Sequence, residues 1–599
     1  MKGFDSTMST ETTAPPVISS GGLTWKALIP AGLYWAAVAT VANLELPYFF
    51  RFIFSMAAPA LLLIAFSIWW WRNRFTSKAE RGLTWLLLLG SAFAAAPLLH
   101  PSLGVWTALF LGLPLVMTVW MLWSVASWRM NPGSRRAGGF LAVLLIWSGL
   151  SLIRTEGVDG DLKADTHWRW TRTEEQQYLA GRKEELDRKA TAVKQEHVSA
   201  NPIVASAGDW TGFRGPNADG VVHGLRIKVD WKAHPPKLLW KQRIGPAWSS
   251  VAVVGGRLFT QEQHDEKEAV VCYDAATGNL LWEHEDEARF WESVSGAGPR
   301  ATPTFADGRI YTLGATGLLN CLDAADGKRI WSRDLMQDAN AKTPMWGFSS
   351  TPLVANGLVV VHGGGPKQNN LIAYRAETGS PAWRAKGGEQ TFASPQLATI
   401  SNKPQVLIIT DFGLTSVDLA TGSPLWNIGQ EMPGTPRSLQ PHVLDGGRIF
   451  LGSPVGSSPF GASMVKAEPS GEGWKVEERW SSSQIKPEFS EFVIHEGHAY
   501  GFDGAIFCCV DLTNGHKIWK GGRYGRGQVL LLADQGLLLI VTEKGELALV
   551  AAKPDKHQEL TKVSALNGKT WNHLAVAHGR LYARNAVEMG CWQLPVVEK

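Results

Sequence analysis

One short phrase, repeated through the last two thirds of the chain, does most to limit its fold. It is an Asp, a Gly four residues later and a Trp four residues after that, found at Asp274, Gly278 and Trp282, and again at Asp323, Gly327 and Trp331. It returns at Asp418, Gly422 and Trp426 and at Asp511, Gly515 and Trp519, with weaker copies at Arg375 to Trp383 and Lys466 to Trp480. A period of roughly 40 to 50 residues marks a repeat architecture, and short strands between turns make it a β-propeller rather than a helical solenoid.

Each residue type has a reason to recur. The Gly permits the positive φ of a tight turn, and the Asp or Thr beside it can hydrogen-bond the turn backbone. The Trp is a flat wedge with one donor, suited to packing between neighbouring sheets while its indole N–H finds a backbone oxygen. With this Asp…Gly…Trp form, residues 205 to 599 resemble the pyrroloquinoline-quinone (PQQ) repeat family, in which it is a tryptophan-docking motif. The resemblance implies structural docking roles for Trp282, Trp331, Trp383, Trp426 and Trp519.

A second beat sets the blade number. Short apolar runs broken by a turn occur around Gly255, Gly308 and Gly357, over Pro395 to Ile409, and around Gly446, Gly497, Gly536 and Gly579, which predicts eight blades. The last unit ends at Cys591-Trp592-Gln593 with no room for its own docking Trp. The segment Leu238-Leu239-Trp240 can supply the missing strand, and such closure removes two exposed sheet edges.

Residues 1 to 153 have another character. After a tail at 1–22, five apolar stretches fill 23–153, at about Leu23–Leu44, Phe52–Trp71, Leu83–Leu99, Leu103–Trp128 and Gly138–Ile153, the last near the lower limit for a span. They predict an α-helical membrane domain of about five helices. A cleavable signal peptide fits poorly, because four further apolar stretches follow the first. Arg72, Arg74, Lys78 and Arg81 fall in one loop and Arg129, Arg135 and Arg136 in another, while His100-Pro101-Ser102 carries no Lys or Arg. The positive-inside rule then places the propeller outside the cytoplasm, in a multi-pass inner-membrane protein. Residues 154–204 read as a charged helical linker, opened by a capping box at Thr173-Glu174-Glu175-Gln176 with Glu184/Arg188 and Glu185/Lys189 pairs behind it. Its sparse apolar positions predict a solvated spacer.

The net charge of +4 is small for 599 residues, and no basic patch interleaved with aromatics points to nucleic acid. The pair Cys508-Cys509 invites comparison with the vicinal disulfide of some quinoprotein alcohol dehydrogenases. Yet Cys272, Cys321, Cys509 and Cys591 share one repeat slot, so Cys509 reads as a core filler and Cys508 as its neighbour on the opposite strand face. Trp210 to Asn217 resembles the lead-in of many PQQ-like propellers, and its Trp210, Phe213 and Gly/Pro turn predict packing against the ring.

Residues just ahead of each inner strand should rim the central funnel. By register these are Trp248, Arg300, Trp346, Phe392, Arg437, Phe489, Arg526 and Trp571. Three Arg among aromatics suit a planar anionic ligand or an extracytoplasmic protein. PQQ is such a ligand, and the resemblance makes PQQ with calcium a possible cofactor pair. No Ser-His-Asp set, zinc cluster, phosphate loop or Cys-x-x-Cys-His motif is present in the sequence, and the repeated Asp residues are explained by turns. Asp411, Asp503 and Glu543 carry no signature that would mark a catalytic base or calcium ligand, so no catalytic or metal-binding residue is assigned. The expectation is a membrane-anchored binding or scaffold module. Five spans before an eight-bladed propeller also resemble membrane glucose dehydrogenases, so the alternative is a PQQ-dependent dehydrogenase passing electrons from a sugar or alcohol to membrane quinone.

Overall fold

The computed structural model describes residues 28–44, 48–72, 77–161, 163–192, 203–366, 370–429, 431, 437–453, 455 and 461–597. The 1–22 tail and Arg74 lie outside them, and of residues 184–192 only the backbone is described, so the Glu184/Arg188 and Glu185/Lys189 pairs lie outside as well. The chain divides into two units, Met1–Thr155 with Thr166–Arg169 and Glu156–Asp165 with Trp170–Lys599.

The first unit is helical: α1 (Ile29–Asn43), α2 (Tyr48–Arg72), α3 (Lys78–Ala95), α4 (Gly104–Thr107), a π turn (Ala108–Gly112), α5 (Leu113–Ala126) and α6 (Pro132–Ser151). Among the described residues, Ile53–Arg72, Lys78–Leu98 and Ala108–Ala126 are long and apolar enough to cross a membrane. The 15 residues of α1 span only about 22 Å, short of the roughly 30 Å hydrocarbon layer. Helix α6 has the length, but Arg135 and Arg136 occupy its first turns. Phe66, Leu88, Val116, Met117 and Met121 form a fully buried seam, whereas Leu86 and Phe93 are 73% and 75% exposed. Apolar side chains thus cover the outside of this unit as well as its inside. Gly112 lies against Trp147 and Gly138 against Trp123, where a Cβ would strike the indole, so these glycines let α6 approach closely.

The second unit holds an eight-bladed propeller, each blade a four-stranded antiparallel meander, the seventh with an added strand. The eighth blade is closed by Lys237–Arg243, which pairs with Glu588–Gln593 and brings Trp240 opposite Cys591. The docking motif works through two contacts. Trp240, Trp282, Trp331 and Trp383 donate their indole N–H groups to the carbonyls of Ala275, Ala324, Ala376 and Leu419 on the next blade, at 3.2, 3.1, 2.9 and 3.0 Å. The same indoles lie flat on Gly278, Gly327, Gly379 and Gly422, which hold φ of +69° to +78° and leave no space for a Cβ. Gly is therefore required twice over, for the turn and for the wedge.

Departures from the motif follow from this geometry. The fifth blade has no matching Gly turn, and Trp426 instead donates to Gln405 Oε1 at 3.0 Å in its own blade. In the seventh blade Thr561 faces Leu549 in the Trp slot. The repeat Asp residues cap turns: Asp274 Oδ1 accepts from the N–H groups of Ala276 and Thr277 at 3.0 and 2.8 Å. Around the axis a second ring links the inner strands, with Ser250 N–H on Thr302 Oγ1, Thr302 N–H on Thr351 Oγ1 and Thr351 N–H on Ser394 Oγ. Gln440 N–H on Glu491 Oε1 and Glu491 N–H on Gln528 Oε1 continue it.

The described start of the linker helix is not the solvated spacer expected. Thr173 and Gln176 do form the reciprocal capping box, at 3.0 Å each way, and start α7 (Glu174–Ala192). Its first half then docks where the eighth and first blades meet: Glu174 pairs with Arg243 of the eighth, Glu175 with Arg289 at 2.9 Å, and Arg182 with Glu283 of the first. Arg182 also donates to His264 Nδ1 at 2.8 Å. Few apolar residues were needed because the contact is ionic.

Candidate functional site

The residues ahead of the inner strands do gather, in two groups. Trp248, Trp571 and Phe489 form a continuous aromatic surface, with ring centroids 5.1 Å apart for Trp248–Trp571 and for Phe489–Trp571. Lys569 lies over both indoles at 5.1 and 4.6 Å, and burial lowers its ammonium to about 8. Trp248 is fixed by donation to Ser295 O at 2.8 Å and Trp571 by donation to Glu543 Oε1 at 2.8 Å. On the far side Trp346 packs on Phe392 at 5.1 Å, beside a cavity of ≈ 150 Å³ that also involves Met345, His362, Glu389 and Gln390.

The three arginines do not form the converging cationic trio that their register suggested. Arg300 is turned away into a tight loop. It pairs with Glu292 at 3.1 Å, donates to Ser295 Oγ and the carbonyls of Gly296 and Gly298, and lies over Phe290. Burial pulls its guanidinium down to about 10. Arg437 is 2% exposed, and burial lowers its pKa too. Arg526 is held by Glu488 at 2.9 Å and Asp161 at 3.1 Å, and its backbone N–H donates to Glu543, the same carboxylate that anchors Trp571. Burial would lower its pKa, but Glu488, Glu543 and Asp161 outweigh that and raise it. Asp161 comes from the Val158–Asp161 turn, which lies on this part of the mouth.

The opposite end of the ring is crossed by the lead-in. Trp210 exchanges backbone hydrogen bonds with Val253 in the first blade, Thr211 O accepts from Phe305 in the second, and Val221–Val222 runs parallel to Leu531–Leu532 in the seventh. Phe213 meets His573 edge-on at 4.7 Å. Arg214 turns inward to Glu491 at 2.7 Å and donates to the Phe492 and Asp219 carbonyls. This is the packing role expected of the lead-in. Cys508 and Cys509 point into different inter-blade cores, are buried free thiols, and have pKa values raised by burial, so neither faces the mouth.

Residues 233–290 and 284–521 match the family model described as outer membrane protein assembly factor BamB. The propeller is of the PQQ-like repeat type. The chain is 28% identical over 202 residues to the quinohemoprotein alcohol dehydrogenase ADH-IIG of Pseudomonas putida, covering 31% of this chain and 27% of that protein. It is 33% identical over 99 residues to the assembly factor BamB of Xanthomonas campestris, covering 16% and 24%. The matches thus span about a quarter of the length of each of these curated relatives. Among solved structures, BamB from Moraxella catarrhalis aligns with a TM-score of 0.44 at 14% identity, over 60% of this chain and 100% of that one.

The side chains of this PQQ-like propeller do not fit a flat tricarboxylate at the predicted rim. Such a group needs cations free to meet its carboxylates, whereas Arg300 and Arg526 already face Glu292, Glu488 and Asp161. The cavity beside Trp346 is below the roughly 300–1,000 Å³ usual for small-molecule sites. Carboxylates left unassigned in the sequence also have employment: Asp411 accepts from the N–H groups of Glu389 and Gln390, and Asp503 pairs with Lys517 and Lys520. Glu543 accepts from Gly160, Arg526 and Trp571. Sequence reasoning missed Glu292, Glu488, Glu543 and Lys569 as mouth residues, because each occurs in one blade only and so leaves no repeat signal.

Proposed function

We propose that this chain is a membrane-anchored, extracytoplasmic binding or scaffold protein that holds a protein partner on the mouth of its PQQ-like propeller. The observation that carries this reading is an aromatic surface of Trp248, Trp571 and Phe489 whose neighbouring guanidinium, Arg526, is already charge-paired. Aromatic anchors with a polar rim suit a protein surface better than a small anion. The match to a BamB family model supports it, since that name denotes an assembly factor. For the membrane anchor, the support is three helices of spanning length and the concentration of Arg and Lys around the α2–α3 and α5–α6 junctions. Reporter fusions at Pro132 and Lys599 should report opposite sides of the membrane, and two cytoplasmic reports would refute the topology.

Photo-cross-linking from Met345 and Trp346 in the intact cell envelope tests the partner reading. Discrete protein adducts from the mouth, absent when the probe is placed at the exposed Lys328 turn, are the expected result. Equal labelling from both places would remove the mouth as a docking surface.

A second reading, a quinoprotein dehydrogenase, is favoured by the match to the Pseudomonas putida enzyme. Titration of the purified chain with PQQ and Ca²⁺, followed by a dye-linked assay, separates the two. Tight binding with turnover would replace the scaffold reading.

A further inference from the structure

The mouth of the propeller already carries a piece of peptide, and the contacts show what kind of peptide it accepts. Val158 N–H donates to Val294 O at 2.8 Å, and the Val158 carbonyl accepts from Lys569 Nζ at 3.0 Å. Gly160 N–H donates to Glu543 Oε1 at 2.7 Å. The Asp161 carboxylate meets Arg526 at 3.1 Å and Arg523 at 3.5 Å. Two backbone donors, one backbone acceptor and one acidic side chain are therefore each read by a separate propeller group.

Those propeller groups are held in place from behind. Arg526 is fixed by Glu488 at 2.9 Å, and Glu543 accepts from the Arg526 N–H at 3.2 Å and from Trp571 at 2.8 Å. A site whose recognising groups are positioned by their own scaffold does not depend on the occupant for its shape. Selectivity is built in at one position, since a Cβ on Gly160 would lie 2.7 Å from both Arg526 Nε and Glu543 Oε1. The occupant is itself pre-shaped, because Asp159 Oδ1 accepts from the N–H groups of Asp161 and Lys163 at 2.9 Å each. The two partners also differ in burial: Arg526 is 4% exposed and Asp161 39%.

We propose that the mouth around Arg526, Glu543, Lys569 and Val294 is a recognition site for an acidic turn of Asp-Gly-Asp type, and that the chain's own Val158–Asp161 turn fills it in cis until a partner's turn displaces it. This rests on the binding-protein reading and names the chemistry of the partner. A tethered occupant competes at a high effective concentration, so a free turn binds weakly while the cis turn is seated.

The test uses the full chain in detergent and a fluorescein-labelled peptide of residues 156–165, Glu-Gly-Val-Asp-Gly-Asp-Leu-Lys-Ala-Asp. Gly160→Val should expel the turn sterically, and Asp161→Asn should loosen it without added bulk. In both, hydrogen exchange over residues 156–161 should rise while exchange in the blades is unchanged. Anisotropy should then show the peptide binding the Gly160→Val chain at least about tenfold more tightly than the unaltered chain. A peptide with Asn for Asp161 should lose about tenfold, the scale of one charge-assisted hydrogen bond. An exposed turn with no gain in peptide binding overturns the proposal, as does equal binding of the Asp and Asn peptides. Exchange that stays slow in both variants overturns the contact geometry and the proposal with it. None of these results touches the cross-linking from Met345 and Trp346, which decides the partner reading on its own.

Discussion

The two ends of the propeller are each covered by a segment from outside the blades, and each segment is held by an Arg–carboxylate pair. The surroundings of those pairs are opposite. At the lead-in end Arg214 and Glu491 are 0% and 2% exposed, with His442 and His573 close by. At the mouth Asp161 reaches Arg526 from a position open to water. Burying both charges makes the first pair costly to form and costlier to break, since removing one partner strands the other in low dielectric. An ion pair with one open side gains little and yields readily to a competitor. The same chemistry thus makes a permanent seal at one end and an exchangeable cover at the other.

The sharpest way to break this comparison is Arg214→Ala. It leaves the buried Glu491 carboxylate without its guanidinium partner, and should destabilise the propeller by about 3–5 kcal/mol. Urea melts of the full chain measure it. A loss below about 1 kcal/mol, the scale of surface changes, would make the lead-in as dispensable as the mouth turn.

Acid should weaken both ends, each in its own pH window. Burial lowers His573 to about 3 and lowers His442 as well, although Glu491 opposes both. Unfolding frees these rings to bind protons at about 6.5, so the unfolded state takes up more protons and stability falls as pH drops from about 6.5 towards 3. Lys569, lowered to about 8, gives the same sign in a higher window at the mouth. Between about 8 and 10.5 the unfolded chain carries the extra proton, so stability rises with pH there. Melting curves across both windows check the pair of signs. His573→Phe should flatten the acid limb, and an unchanged limb would show that other groups govern it.

How far the sequence carried these conclusions differs between the ring and its site. The blades were legible because Gly278, Gly327 and Gly422 answer to two demands at once, a positive φ and an indole lying on the Cα, and a doubly constrained residue repeats visibly. Closure through Trp240 and the capping box at Thr173 were legible for the same reason, each being local chemistry with a fixed spacing. The rim was only half legible. Register placed Trp248, Phe489 and Trp571 together, yet Arg300 and Arg526 look alike in sequence although one is locked in its own loop and the other faces the mouth. What separates them is the partner, and Glu292, Glu488 and Asp161 lie in segments outside the blade strands that the repeat does not govern. The docking of α7 was missed because Arg182 and Glu175 act through ion pairs, which leave no apolar periodicity.

The smallest expected effect is the one that defines the exchangeable end. Asp161→Asn removes the charge that Arg526 and Arg523 meet but keeps the size of the side chain and the turn geometry set by Asp159. Arg526 retains Glu488, so no buried cation is left without a counter-charge. Global stability should change by less than about 1 kcal/mol, in the range of exposed pairs. Local protection of Gly160 N–H should nevertheless fall, because its bond to Glu543 is kept only while the turn is seated. Urea melts paired with hydrogen exchange at residues 156–161 read both quantities on one sample. A large global loss would mean that the turn is part of the propeller's core, and the two ends would then differ in exposure but not in role.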